Sequence, residues 1–185
     1  MTSRIIVDQL EGKPGSGNIV TVPTGHTLYA PGAVIQVVHE TINTEKTNAS
    51  DGLTDSVWQF TGVTASITPK FATSKILVQY NQSYFWQTNA GGAQGHGTQL
   101  RRGNSTVLTT RKGFAGFYLN TGDASDNRHH GYEYCAHMDS PNTTSAVTYN
   151  VYGWFWTSDW TSLLYQYGNG TDDSPSTITL MEIGA

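Results

Sequence analysis

The sequence predicts an all-β protein, an antiparallel jelly-roll β-sandwich. Three observations carry that prediction. Period-two runs of β-branched and aromatic residues recur along the chain, the longest over Ser74–Trp86 and Ala146–Thr157. Clusters of Gly, Pro, Asn and Asp separate these runs. Charged residues make up only 13% of the chain, so the Lys, Glu and Arg that coat helix surfaces are scarce, and no stretch has a convincing helical pattern.

Residues 1–18 read as an attachment arm. Ile5, Ile6 and Val7 form a short β-type segment, and Gly12, Pro14, Gly15 and Gly17 break the chain after it. Such an arm pairs with another chain, adds an edge strand to its own domain, or frays. The domain proper is residues 19–185. Ile19–Val22 is a short strand, and Ala33–Thr41 is a longer one with apolar groups on both faces. Residues 42–56 read as a long polar loop. Val57–Thr61 and Val63–Thr68 read as two strands, closed by Pro69. In Ser74–Trp86, Ile76, Val78, Tyr80, Tyr84 and Trp86 share one face. Residues 87–97 read as a Gly-rich loop. Gly103-Asn104 marks a hairpin between Gln99–Arg102 and Thr106–Thr110. Residues 111–128 look irregular. Tyr132–Met138, Ala146–Thr157, Leu163–Tyr167 and Thr177–Ile183 complete about ten strands. No repeat of 20–50 residues suggests a propeller or solenoid.

Composition excludes several functions. A net charge of -4 with no basic patch argues against a nucleic-acid binder. The N-terminus has no secretion-signal pattern, and no apolar run is long enough for membrane insertion. Cys135 is the single cysteine, so no intrachain disulfide is possible; it reads as a buried thiol. No G-x-S-x-G, H-E-x-x-H or P-loop motif occurs. The expectation is a protein that is not an enzyme and uses no cofactor.

Five segments in series resemble a family of virion proteins of marine bacteriophages, mostly tail-fibre or structural proteins. They are GNIVTVPTGHTLYAPGAVIQVV (17–38), TASITPKFATSKILVQY (64–80), QLRRGNSTVL (99–108), MDSPNTTSAVTYNVYG (138–153) and STITLMEI (176–183). The long aromatic stretch GFAGFYLNTGDASDNRHHGYEYC departs from the family's pattern. The resemblance implies a jelly roll similar to C1q or tumour-necrosis-factor domains, assembled as a parallel homotrimer and located on a virion. It implies no catalytic residues. The implied role is a short fibre or fibre tip contacting the host surface. A capsid decoration or head-fibre protein binding coat subunits, and a glycan-binding lectin-like module, are the alternatives. The arm would contact other virion proteins.

Composition also favours self-assembly: 10 Tyr and 5 Trp, many on the two long strands, are more ring surface than one sandwich should expose. Tyr80, Tyr149, Leu180 and Ile183, with Ile5, Ile6 and Val7 of the arm, are the expected assembly contacts; packing within a single sandwich is the competing reading.

Other candidate sites each have a plainer reading. His129, His130 and His137 lie near Cys135, a set that could hold a borderline-soft metal, but the spacing matches no zinc pattern. Asp123 and Asp126, or Asp172 and Asp173, could offer oxygens to calcium, yet the EF-hand spacing is absent and turn chemistry explains them. Glu133, Glu182 and Asp159 are the carboxylates a glycosidase would need in pairs, and no spacing brings two together. Trp154, Trp156, Asp159, Trp160, Tyr118, Asn120 and Tyr132 could stack on sugar rings and bind hydroxyls of a host-surface glycan; for Trp154 and Trp156 core or trimer packing is the plainer reading.

Overall fold

The computed structural model describes residues 24, 31–88, 92–111, 117–121, 127–156, 160–166 and 174–184. The chain folds as an antiparallel jelly-roll sandwich of two sheets. Its elements are β1 (Val34–Ile42), β2 (Lys46–Thr47), α1 (Asn48–Asp51), β3 (Gln59–Ile67), β4 (Lys75–Thr88) and β5 (Gly92–Arg102). They continue as β6 (Thr106–Arg111), β7 (Phe117–Thr121), β8 (Asn127–Asp139), β9 (Val147–Trp156), β10 (Trp160–Tyr165) and β11 (Ser176–Ile183).

The first sheet runs β1-β11-β4-β8. The second runs β3-β9-β5-β6. β4 anchors the first sheet. β8 pairs along one flank from Ile76 to Thr88, while β11 and β10 share the other flank end to end. β7 pairs with β5 beyond the end of β6, and β2 pairs with β10.

Alternation decides the core. Ile76, Val78, Tyr80, Tyr84 and Trp86 of β4 point inward, as do Val147, Tyr149, Val151 and Phe155 of β9 and Ile178 and Leu180 of β11. These residues fill the space between the sheets in two clusters. This corrects one expectation. Tyr80, Tyr149 and Leu180 are enclosed within one copy of the chain, so their side chains are not assembly surface. The period-two pattern does direct the rings to one face, but that face meets the partner sheet of the same chain.

Other elements differ from the sequence reading. The Gly-rich stretch 87–97 continues β4 and supplies the first half of β5, because β9 and β7 offer it backbone partners on both sides. Residues 117–121 of the irregular stretch form β7. Two strands expected at Val57–Thr61 and Val63–Thr68 are one strand, β3, with a bulge between Phe60 and Thr64. Gly62 takes φ +95 there, a conformation open to glycine. The loop 42–56 contains β2 and the one-turn helix α1, capped by Thr47. Cys135 is buried and free, as expected. The segments 1–18 and Ile19–Val22 lie outside the described residues, so Ile5, Ile6 and Val7 are not placed. Among the described residues no helix is long and apolar enough to cross a membrane.

Candidate functional site

The expected site residues scatter. Along β8 the odd positions face inward and the even ones outward, so Cys135 is buried while His130 is exposed. His129 and His137 stand opposite Trp86 and Val78 of β4, eight residues apart on the strand, or roughly 26 Å. The His129 ring stacks against Tyr84 at 5.7 Å and Trp86 at 5.5 Å. Burial, then the neighbouring His130 and His96, hold the His129 pKa below its usual value. Among the described residues no group of three or more His, Cys, Asp or Glu side chains could hold a metal. Asp123, Asp126, Asp172 and Asp173 lie outside the described residues.

The carboxylates are also apart. Glu182 and Glu133 stand opposite Ile76 and Gln82 of β4, roughly 20 Å along the strand. Glu182 is fully buried and clamps the β3–β4 connection. Its Oε1 accepts from the backbone N–H of Lys70 at 2.7 Å, and its Oε2 accepts from Gln36 Nε2 at 2.6 Å. Glu133 meets His96 between the sheets. Asp159 lies outside the described residues. Asp139 accepts from the Tyr149 hydroxyl at 2.8 Å and pairs with Arg102 at 3.1 Å, closing the other end of the core.

The expected glycan residues do not converge in sequence order. Tyr132 is exposed on β8 of the first sheet. Tyr118 and Asn120 stand on β7 of the second, opposite Gly95 and Ala93. Trp160 begins β10, opposite Thr88.

Two outer faces emerge instead. On the first sheet, register aligns Val37, Met181, Leu77 and Met138 in one row from edge to edge. Val37 is 55% exposed and Met138 47%. The next rows are His39, Thr179, Gln79 and Ala136, then Thr41, Thr177, Asn81 and Tyr134. Ser83 with Tyr132, then Leu164, Phe85 and His130, follow. None of these outer-face positions is Asp, Glu, Lys or Arg. Ile183, an expected assembly residue, stands opposite Lys75 at the rim of this face and is partly exposed.

On the second sheet, rings gather at one end. The sequence points to Trp154 and Trp156 here but not to Trp58 or Phe60, because the bulge in β3 sets their register. Phe60 stands opposite Tyr152, with ring centroids 5.8 Å apart. Trp58 lies 6.3 Å from Trp154, which lies 6.2 Å from Trp156.

No family profile and no curated protein matches this chain. Solved structures do. A subviral particle of infectious bursal disease virus VP2 overlaps 94% of this chain and 46% of its own, at 17% identity and TM-score 0.32. A structure of the Gt strain of the same virus overlaps 94% and 47%, at 18% identity and TM-score 0.33. Dimeric latent PorU from Porphyromonas gingivalis overlaps 85% and 14%, at 10% identity and TM-score 0.33. The chain spans less than half the length of these chains.

Proposed function

We propose that this protein is a non-enzymatic virion structural subunit that works as a homotrimer, forming a short fibre or fibre tip on a phage particle. The observation that carries the assembly is the uncharged outer face of the first sheet. Some 17 neighbouring positions without a formal charge, Ser83 among them already buried, leave no ion unpaired when this face is covered. At strand spacings of ~4.8 Å and ~6.7 Å per row, these positions cover about 550 Å², about two thirds of the ~800 Å² each partner contributes to a stable interface. Tyr132, Tyr134 and Met138 stud the edge strand β8, so an edge of one copy can meet the face of the next. Such a head-to-tail contact gives a ring where the rotation between copies closes and an open filament where it does not. The virion setting and the threefold number come from the five-segment resemblance.

Sedimentation equilibrium at micromolar concentration tests the assembly. A species of three times 20.1 kDa supports it, and a stable monomer overturns it. Immunogold microscopy of particles tests the setting. Label on the tail supports the fibre, label on the head favours a decoration protein, and unlabelled particles overturn a virion role.

A further inference from the structure

We propose that the outer face of the second sheet is a binding platform for an acidic oligosaccharide. Trp58, Phe60, Trp154 and Trp156 build its floor, with Lys46 and Arg101 at its margins.

The two outer faces differ in chemistry. The first carries methionines, leucine and valine. The second carries Val107 of β6 opposite Arg101, but the outward positions of β3 and β9 carry no aliphatic side chain: they read Phe60, Gly62, Thr64 and Ser66 on one strand, and Thr148, Asn150, Tyr152, Trp154 and Trp156 on the other. Rings lie at one end, hydroxyls and amides at the other. Thr64 donates to Asn150 Oδ1 at 2.6 Å, and Ser66 and Thr148 share a hydrogen bond of 2.7 Å. A sugar ring presents C–H groups on one face and hydroxyls around its edge, and asks for an aromatic face beside polar groups.

The rings lie at angles to one another, 37° between Trp58 and Trp154, 35° between Trp154 and Trp156 and 53° between Phe60 and Tyr152. Gly97 and Gly95 of β5 stand opposite Trp154 and Trp156, so no side chain of β5 rises beside either indole at those positions. Trp154 is nearly enclosed and forms the base, while Trp156 is 41% exposed and Phe60 36%. Rigid rings lose little conformational entropy on binding.

The cations select the charge. Lys46 Nζ sits 5.3 Å from the Phe60 ring centre, and the Arg101 guanidinium 3.8 Å from that of Tyr152. Gly62 permits the first contact. A Cβ there would lie 3.3 Å from Lys46 Cε, in the stem that reaches Phe60. Arg101 is steadied by Gln99 Oε1 at 2.6 Å and the Asn104 carbonyl at 3.0 Å. Arg101, held by these bonds, and Lys46, whose charge also interacts with the exposed Asp51 carboxylate, border the ring floor and complement the carboxylates of an acidic sugar.

Isothermal titration of the full chain with oligogalacturonate, and in parallel with neutral maltooligosaccharide, tests this. The expected result is saturable binding of the acidic sugar, weakened by added salt. Trp156→Ala and Phe60→Ala should each weaken it about tenfold, and Arg101→Gln should erase the preference over the neutral sugar. No saturable binding, or ring variants that bind as wild type, overturns the platform. Equal affinity for both sugars overturns the choice of an acidic ligand. If Trp156→Ala loses its β-sheet circular dichroism, Phe60→Thr serves as the ring test. The platform lies on the sheet opposite the proposed trimer face. A trimer that ignores sugar and a monomer that binds it are therefore separate outcomes.

Discussion

Glu133 of β8 and His96 of β5 face each other across the sandwich, with carboxylate Oε2 2.9 Å from imidazole Nδ1 and both side chains almost wholly withdrawn from water. The pair joins the two sheets. Tyr84 stacks on the imidazole at 4.1 Å, and Phe155 and Tyr165 tilt against it. Removing one partner strands the other. Glu133→Ala and His96→Ala should each cost about 3–5 kcal/mol in urea denaturation, whereas Glu133→Leu combined with His96→Phe should recover much of that loss. Additive losses in the double variant would show that the two groups do not act as a pair.

Gly153 of β9 leaves room for Tyr165. A Cβ on Gly153 would overlap the Tyr165 hydroxyl and crowd its ring, and Tyr165 is fully buried. Gly153→Ala should destabilise by about 3 kcal/mol or more. Tyr165→Phe in the same chain removes the atom in the way and should restore part of the melting temperature. A Gly153→Ala protein that melts like wild type would contradict this packing.

Tyr80, Tyr84, Tyr149 and Tyr165 all have hydroxyl pKa values pushed above the ordinary 10.0, chiefly by burial. Their neutral forms belong to the folded state. That contribution is fully present below about pH 10, the unfolded value, and is lost as pH rises past it. Ultraviolet difference titration should show these four tyrosines ionising together with unfolding. Ionisation of all ten tyrosines in one reversible step near the ordinary value, with the fold intact, would oppose this.

Asp51 closes the N-terminal turn of α1. Its Oδ2 accepts from the Thr47 backbone N–H at 2.9 Å and from the Ser50 hydroxyl at 2.8 Å, and these two bonds lower its pKa below the ordinary 3.8. The carboxylate therefore stabilises the fold above about pH 4, and that contribution fades as pH falls below it. The group is exposed, so the effect is small. Asp51→Asn should lower the melting temperature slightly at neutral pH and not at all in strong acid. An equal shift at both would remove the charge from the explanation.

Much of the architecture was legible in the chain. Ile76–Trp86, Val147–Phe155 and Ile178–Leu180 alternate so regularly that strand and face follow from one period. What escaped was set by distant partners. Gly92–Gly97 has almost no β-forming side chains and becomes a strand because β7 and β9 flank it. Phe60 and Tyr152 meet because a bulge at Gly62 shifts the register, a matter of backbone geometry that period cannot reveal. The burial of Tyr80 and Tyr149 inside one copy depended on how two sheets stack, and ring content alone left that open. Glu182 showed only an acidic residue in an apolar run, while its loop-clamping bonds join Gln36 and Lys70 to it from far along the chain.

Those same bonds set an order of events during synthesis. Gln36 and Glu182 lie 146 positions apart, and β11 is the wedge that joins β1 to β4. Until the ribosome has delivered Ser176–Ile183, half of one flank of β4 has no native mate. A neighbouring nascent chain on the same polysome presents an identical unfinished flank. Slowing translation just upstream of that segment should therefore raise the share of insoluble product.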